Sequence, residues 1–208
     1  MNKNFIVIEG GDGSGKTTLI KVLEKYLKEE GFDVMTTREP GGIATAEKIR
    51  EIILNEEVEP ITEALLFASA RREHLIKKVL PALKEGKIVL CDRFLYSSLA
   101  YQGNARGLGI ENVYEINKPA VDGLMPGLTI FLDIAPERGI ERINKNRSNE
   151  INRLDLEGLE FHTKVREGYH KAIDMYPENN VEIIDGDRHI DDVFKDVKDM
   201  LENKYFKK

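Results

Sequence analysis

The feature that most constrains this chain is the glycine-rich segment GGDGSGKT near its start, at Gly10–Thr17. It matches the pattern G-x-x-x-x-G-K-[ST]. An apolar run, Phe5–Ile8, precedes it, and a segment with helical periodicity begins at Lys16. Between a strand and a helix, such glycines let backbone N–H groups turn inward around an anion, and the helix start adds partial positive charge. The segment therefore predicts a phosphate-binding loop (P-loop).

The rest of the chain alternates short apolar runs with longer segments of helical periodicity. The runs predict buried parallel strands at Phe5–Ile8, Asp33–Thr37, Ile88–Cys91, Leu128–Ile134 and Val181–Ile184. Helices are predicted at Lys16–Glu30, Ala46–Leu54, Ile61–Glu85, Ile110–Val121, Pro136–Asn146, Leu156–Met175 and Ile190–Lys204. This alternation predicts the α/β class with a P-loop NTPase fold, a three-layer sandwich whose five-stranded parallel sheet is flanked by helices. Since no Pro/Gly/Ser-rich linker interrupts the pattern, we predict one domain over residues 1–208.

Composition excludes several classes of protein. A net charge of −6 disfavours a nucleic-acid partner, because phosphate backbones select basic surfaces. No segment approaches the roughly 20 apolar residues that span a bilayer, so we expect no membrane partner and a cytoplasmic protein. The one cysteine, Cys91, rules out an intrachain disulfide, and its apolar neighbours predict a small buried core residue.

A P-loop does not by itself say what the protein does, because GTPases, ATPases and small-molecule kinases share it. A GTPase would need the guanine-reading motif N-K-x-D, and Asn117–Ala120 lacks the aspartate. An ATPase acting as a switch or motor remains an alternative. Against it, Asp92 at the end of the third predicted strand is followed by Arg93 and Phe94, not by an acidic residue that could activate water.

Arginines follow two of the predicted strands. Arg38 and Arg93 come directly after strands, and Arg50 lies one short helix beyond Arg38. Ligands of open parallel sheets gather beyond the carboxyl ends of the strands. Guanidinium groups match phosphate oxygens bidentately, so these arginines predict a second anion beside the P-loop. A nucleoside monophosphate is the acceptor that we favour, and another nucleotide or deoxynucleoside is the alternative.

Four segments resemble the thymidylate kinase family in its bacterial form: Ile8–Thr17, Thr37–Gly42, Asp92–Gly103 and Asn152–Asp155. The T-R-E-P-G-G and S-S-x-A-Y-Q-G segments are specific to this family among P-loop kinases. The resemblance implies transfer of a phosphoryl group from ATP to dTMP with Mg²⁺, giving dTDP for dTTP synthesis. It also implies a homodimer formed through helices such as Ile61–Glu85.

The resemblance further implies roles for the residues of the acceptor site. Asp12 resembles the carboxylate that accepts a hydrogen bond from the acceptor's 3′-hydroxyl. Arg38, Arg50 and Arg93 resemble ligands of the acceptor phosphate. At the base, the resemblance implies that Phe67 stacks on thymine and that Arg71 donates to its O4. Ser98 and Gln102 would bond the ring edge near N3. At the sugar, Tyr101 would fill the space that a ribose 2′-hydroxyl would need.

The donor triphosphate is expected in the P-loop. Lys16 should reach the β- and γ-phosphates, the Thr17 hydroxyl should bind Mg²⁺, and Glu9 and Asp92 are the predicted carboxylates near the metal and its waters. The full set of predicted nucleotide-binding residues is Gly10, Gly11, Asp12, Gly13, Ser14, Gly15, Lys16, Thr17 and Thr18.

A polar, basic stretch at about residues 142–154 interrupts the helical pattern and predicts a closing lid. Because the P-loop interior contains no arginine, the resemblance implies that the lid supplies catalytic arginines. Arg142, Arg147 and Arg153 are the candidates, and we favour Arg147 and Arg153. Together with Lys16, Arg93 and Asp12 these two form the predicted catalytic set. His74 receives no predicted role.

Overall fold

The strands form one parallel sheet around a central strand. The structure is a computed structural model that describes residues 1–146 and 157–205. Its strands are β1 (Asn2–Gly10), β2 (Val34–Arg38), β3 (Ile88–Asp92), β4 (Pro126–Asp133) and β5 (Val181–Asp185). They lie in the order β2-β3-β1-β4-β5, and every neighbouring pair is parallel. The predicted five-stranded α/β sheet is confirmed.

The central strand shows why helices must cover both faces. From Phe5 to Gly10 every residue of β1 is buried, and alternate side chains enter different clusters. Ile6 and Ile8 pack on one face, whereas Phe5 and Val7 pack on the other. Successive side chains of a strand point to opposite faces, so an unbroken apolar run requires a helical layer on each side. The predicted three-layer arrangement is confirmed.

The helices divide between the two faces of the sheet. On one side pack α1 (Lys16–Glu29) and α9 (Ile190–Met200), the latter continued by a π-helical turn at Leu201–Tyr205. The other cluster draws on α5 (Leu95–Ser98), α6 (Ile110–Val121) and α8 (Leu159–Met175). The remaining helices are α2 (Ala44–Asn55), α3 (Pro60–His74), α4 (Leu80–Lys84) and α7 (Pro136–Asn146), with a π-helical turn at Leu75–Val79 between α3 and α4.

One helical region was absent from the sequence-based prediction. After β3 the chain forms α5 and then a π-helical segment, Leu99–Ala105. Its residues Leu99–Gly103 are all buried, so the segment has no polar face and no amphipathic periodicity to detect. Together, α5 and this segment bring Ser98, Tyr101 and Gln102 to the carboxyl edge of the sheet. Cys91 is a fully buried free cysteine, as predicted.

The predicted lid falls mostly outside the described residues. Arg142–Asn146 belong to the end of α7, whereas Arg147 and Arg153 lie outside the described ranges. Among the helices in residues 1–146 and 157–205, none is long and apolar enough to cross a membrane.

Candidate active site

The loop between β1 and α1 has the geometry of an anion-binding turn. Gly15 precedes the first helical residue with φ 94°, and Gly13 has φ 76°, in the left-handed region that favours glycine. No side chain caps the start of α1. The first N–H groups of a helix have no intrahelical acceptor, so an oxyanion can accept from those of α1.

Lys16 spans this loop from inside. Its Nζ donates to the carbonyl oxygens of Gly10, at 3.1 Å, and Gly11, at 2.9 Å. Only 7% of the residue is exposed. Burial, and then the neighbouring charge of Arg93, lower the pKa of Lys16 from 10.5 to about 8. The ammonium is therefore poorly solvated, and an incoming anion would stabilise its charged form.

Thr17 and Asp92 lie together at the start of α1 and the end of β3. The Thr17 hydroxyl donates to Asp92 Oδ2 at 3.0 Å. Both provide the hard oxygen ligands that Mg²⁺ prefers. Within residues 1–146 and 157–205, no group of three or more His, Cys, Asp or Glu side chains could hold a metal ion. These two residues fit an Mg²⁺ ion whose remaining ligands are phosphate and water oxygens.

The Glu9 carboxylate, at the end of β1, is bonded within the protein. It is fully buried and accepts hydrogen bonds from the backbone N–H groups of Phe94, at 2.8 Å, and Ser97, at 3.1 Å. The hydroxyls of Ser97, at 2.6 Å, and Tyr169, at 3.0 Å, donate to its other oxygen. The carboxylate thus holds the start of α5 against β1, and its position near Mg²⁺ and the metal's waters stays a prediction.

Arg93 connects the P-loop to the rest of the site. The residue has φ 67°, uncommon for a residue other than glycine, and such strain clusters at functional sites. Its guanidinium donates to the Gly10 carbonyl oxygen at 3.0 Å, to Asp12 Oδ1 at 2.5 Å and to the Tyr101 hydroxyl at 3.2 Å. Tyr101 in turn donates to Asp12 Oδ2 at 2.9 Å.

The Asp12 carboxylate is strongly held in its ionised form. Burial alone would raise the pKa of Asp12, but the charges of Arg93 and Lys16 and the hydrogen bond from Tyr101 outweigh it and lower the pKa to about 2. At neutral pH Asp12 is consequently an acceptor only. It can accept a hydrogen bond from a hydroxyl group of a ligand.

A cavity of about 420 Å³ extends from the P-loop toward α3 and α5. It brings together most of the side chains predicted to form the site. The predicted residues that line it are Asp12, Gly13, Gly15, Lys16, Thr17, Thr18, Arg38, Arg50, Phe67, Arg71, Asp92, Arg93, Ser98, Tyr101 and Gln102. Lining residues that were not predicted are Glu39, Pro40, Leu54, Phe94 and Ser97.

Two of the lining arginines, Arg38 and Arg50, lie near each other and near Glu47. Arg38 pairs with Glu47 Oε1 at 3.0 Å, and 55% of its side chain is exposed. Arg50 donates to the Pro40 carbonyl oxygen at 3.3 Å. Burial, and then the like charge of Arg38, lower the pKa of Arg50. Two guanidinium groups that repel each other form a suitable site for a phosphate.

All three guanidinium nitrogens of Arg71 donate hydrogen bonds within the protein. Only 2% of its side chain is exposed, and its Nε donates to Glu39 Oε2 at 2.7 Å. The two terminal nitrogens donate to Ser98 Oγ, each at 3.2 Å, and also to the Phe94 carbonyl oxygen and to Asn117 Oδ1. The plane of the guanidinium is therefore fixed before any ligand enters.

The Glu39 carboxylate, which accepts the hydrogen bond from Arg71, has a second partner that was not predicted. His74, which is fully buried, lies with Nδ1 2.9 Å from Glu39 Oε1 and Nε2 2.7 Å from the Thr37 hydroxyl. Glu39, just after β2, thus supports Arg71, and it is held in turn by His74 at the end of α3, which also contacts Thr37. No short motif marks His74 for this contact, because its partner lies 35 residues earlier in the chain.

A second cavity, of about 400 Å³, opens on the other side of the P-loop. Gly13, Gly15 and Thr18 line both cavities. The second is also lined by Arg142, Arg188 and His189. Arg142 donates to the Gly186 carbonyl oxygen at 2.8 Å and to Asp187 Oδ1 at 3.1 Å. The P-loop therefore lies between two cavities.

Comparisons with known proteins agree with this arrangement. A protein-family model described as thymidylate kinase matches residues 8–197. A relative named thymidylate kinase from Clostridium novyi (strain NT) is 55% identical over 205 residues, which cover 97% of this chain and 100% of the relative. One from Geobacillus thermodenitrificans (strain NG80-2) is 57% identical over 199 residues, covering 94% and 88%. The crystal structure of thymidylate kinase from Ehrlichia chaffeensis superposes with a TM-score of 0.77 at 30% identity, covering 95% of this chain and 98% of that one.

Proposed function

The chain belongs to the thymidylate kinase family, and from this premise we propose which of its residues bind the two substrates and carry out the transfer. The enzyme phosphorylates dTMP to dTDP with ATP, and Mg²⁺ is its cofactor. One observation supports the assignment of residues best. A single cavity beside the P-loop combines a cluster of cations with an aromatic ring and several fixed hydrogen-bonding groups.

The cations of this cavity would hold the acceptor phosphate. Arg38, Arg50 and Arg93 line it together, and each is positioned by a partner within the protein. A phosphate that takes the place of these partners keeps every guanidinium paired. The Asp12 carboxylate, ionised and held by Tyr101, would accept a hydrogen bond from the 3′-hydroxyl.

The opposite group of side chains would bind the base. Phe67 and Arg71 are one turn apart on α3 and both line the cavity. A pyrimidine stacked on Phe67 would present its O4 to the guanidinium of Arg71, which can only donate. O4 would take the place of Ser98 Oγ at one of the two nitrogens that bond it. Ser98, at the end of α5, and Gln102, in the π-helical segment that follows, would bond the ring edge near N3. Tyr101 would occupy the space next to C2′, which favours deoxyribose.

Phosphoryl transfer then depends on alignment and on charge. The acceptor phosphate oxygen is already ionised, so no strong general base is needed. Lys16 and Arg93 would neutralise charge that spreads over the transferred group, and the N–H groups of the P-loop would hold the β-phosphate. Thr17 and Asp92 would hold Mg²⁺, which supplies further positive charge at the phosphates.

The lid remains a proposal. Arg147 and Arg153 lie outside the described residues, and their proposed role rests on the family resemblance of the Asn152–Asp155 segment. Closure of a lid would exclude water that could otherwise hydrolyse ATP. We place the base of ATP in the second cavity, where Arg142 and Arg188 lie on the far side of the P-loop from the acceptor.

A homodimer is also proposed. Three large apolar side chains are exposed in a row on α3 and the following turn: Ile61 at 52%, Leu65 at 50% and Ile76 at 43%. Their spacing places them on one side of the helix, and a second copy packed against this row would remove it from water. We also propose a cytoplasmic location, where ATP and dTMP are available.

A substrate panel tests the proposed function. ATP is supplied with dTMP, dUMP, UMP, dCMP or AMP, and product formation is followed together with ATP hydrolysis in the absence of acceptor. We expect dTMP to have the highest kcat/KM and hydrolysis to be slow. ATP turnover that no acceptor stimulates would favour the alternative of a regulatory ATPase.

A further inference from the structure

A buried carboxylate lies directly behind one of the residues that line the acceptor cavity. Glu63, on α3, is 1% exposed. Its Oε1 accepts a hydrogen bond from Gln102 Nε2 at 2.9 Å. Arg106 Nε lies 3.8 Å from the same oxygen and compensates its negative charge. Gln102 is 2% exposed and lines the cavity, whereas Glu63 does not.

This contact fixes which way the Gln102 amide faces. A glutamine side chain carries a donor and an acceptor that occupy nearly the same volume, so either can point at a ligand. An ionised carboxylate only accepts hydrogen bonds, and the Gln102 nitrogen must therefore face Glu63. The oxygen lies on the other arm of the planar amide. Among the described residues, none donates a hydrogen bond to it.

Glu63 also shares a side of α3 with the two residues proposed to bind the base. Glu63, Phe67 and Arg71 follow one another at intervals of four residues, which places them in one row along the helix. In the proposed site, the ring of Phe67 would stack on the base, Arg71 would donate to O4, and the carboxylate of Glu63 would act through Gln102. Phe67 and Arg71 line the proposed pyrimidine site directly, and Glu63 reaches it through Gln102.

We propose that Glu63 is a specificity-determining positioning residue, which holds the Gln102 amide so that Oε1 accepts a hydrogen bond from N3–H of thymine. The proposal rests on the function proposed above. Thymine and uracil carry a donor at N3, whereas N3 of cytosine is an acceptor. With its amide held in this way, Gln102 opposes cytosine with a second acceptor. This rejection of cytosine is separate from the one that Arg71 exerts at position 4.

The direct test is Glu63→Gln, which keeps the size of the side chain but can donate as well as accept. In this variant the Gln102 amide can turn over and offer N–H to cytosine. We measure KM and kcat for dTMP, and the competitive inhibition constant of dCMP against dTMP, so that dCMP need not be a substrate. The preference for dTMP over dCMP should fall about tenfold, and kcat should change much less than the two binding constants.

Two controls separate this effect from a loss of structure or charge. Glu157 pairs with Arg106 Nη2 at 2.6 Å. The variant Glu157→Gln therefore removes one negative charge beside Arg106 and leaves the contact between Glu63 and Gln102 unchanged. The preference for dTMP over dCMP should not change in the Glu157→Gln variant. In a Gln102→Leu background, Glu63→Gln should have no further effect on the preference, because the amide through which it acts is gone.

The possible results are distinct. Should Glu63→Gln fail to fold, Glu63→Asp carries the same expectation, since the shorter carboxylate keeps its charge but no longer reaches Gln102. An unchanged preference in the variant that folds overturns the proposal, and so does an equal effect of Glu157→Gln. If the wild-type enzyme does not phosphorylate dTMP, the proposed function itself fails, and that result is read before any variant is made.

Discussion

The lowered pKa of Lys16 predicts that ATP binding takes up protons. In the empty enzyme this pKa is about 8, because the ammonium is buried in the loop beside Arg93. A triphosphate brings several negative charges next to Nζ and should restore the pKa to its ordinary range, above 10. Binding therefore favours the protonated form. The enzyme should take up protons from the buffer at any pH where the empty loop has partly lost them.

The size of the effect follows from the fraction of neutral lysine. With a pKa of about 8, about a tenth of the empty enzyme has a neutral Lys16 at pH 7, about half at pH 8 and about nine-tenths at pH 9. The number of protons taken up for each ATP bound should be close to the neutral fraction at that pH. Above pH 8 the affinity for ATP should fall, approaching tenfold for each pH unit. The reason is that Lys16 must take up a proton when ATP binds, and this costs more free energy as the pH rises.

Isothermal titration calorimetry measures this uptake. ATP with Mg²⁺ is titrated, without dTMP, into the enzyme in buffers of different ionisation enthalpy. The slope of the observed enthalpy against the ionisation enthalpy is the number of protons taken up. Lys16→Arg is the matched control, because arginine stays charged throughout this range. A slope of zero at both pH 8 and pH 9, or the same slope in Lys16→Arg, would refute the reasoning.

Three further predictions concern the lid, the sugar and the dimer. Replacing Arg147 and Arg153 together with alanine should lower kcat about 10²–10³-fold with little change in dTMP affinity, and an unchanged kcat would remove the lid from the mechanism. Tyr101→Ala should narrow the kcat/KM preference for dUMP over UMP, whereas Tyr101→Phe, which keeps the ring, should not; equal preferences in all three enzymes would contradict the role at C2′. Leu65→Glu should convert a dimer to a monomer in sedimentation velocity, while Leu159→Glu, at another exposed leucine (44%), should not.

The elements that the sequence predicted well are those with a local pattern. Phe5–Ile8 is buried on both faces and reads as a strand, and the GKT of the P-loop marks the start of α1. Because parallel strands end at one edge of a sheet, Arg38 and Arg93 could be expected to meet there. The structure places both at one cavity.

The residues that support the site could not be predicted in this way. Glu39, Glu63 and Asn117 lie 32, 39 and 46 residues from the side chains that they hold. A buried carboxylate is determined by its tertiary partners, and nothing in its own neighbourhood distinguishes it from a solvated one. Glu9 shows the same limit, since nothing in its sequence neighbourhood predicted that its carboxylate would hold α5.

The internal partners also explain how a chain with a net charge of −6 can bind two phosphorylated substrates. In the ligand-free structure Arg93 is paired with Asp12 and Arg38 with Glu47, and Thr17 donates to Asp92. Each pairing orients a group that we propose to bind phosphate or Mg²⁺. A phosphate that enters competes with a carboxylate for a cation that is already oriented, so ordering that cation adds little to the entropic cost of binding. Lys16 differs from these groups, because its partners are carbonyl oxygens and not a carboxylate. Its charge is consequently one that the substrate itself must stabilise.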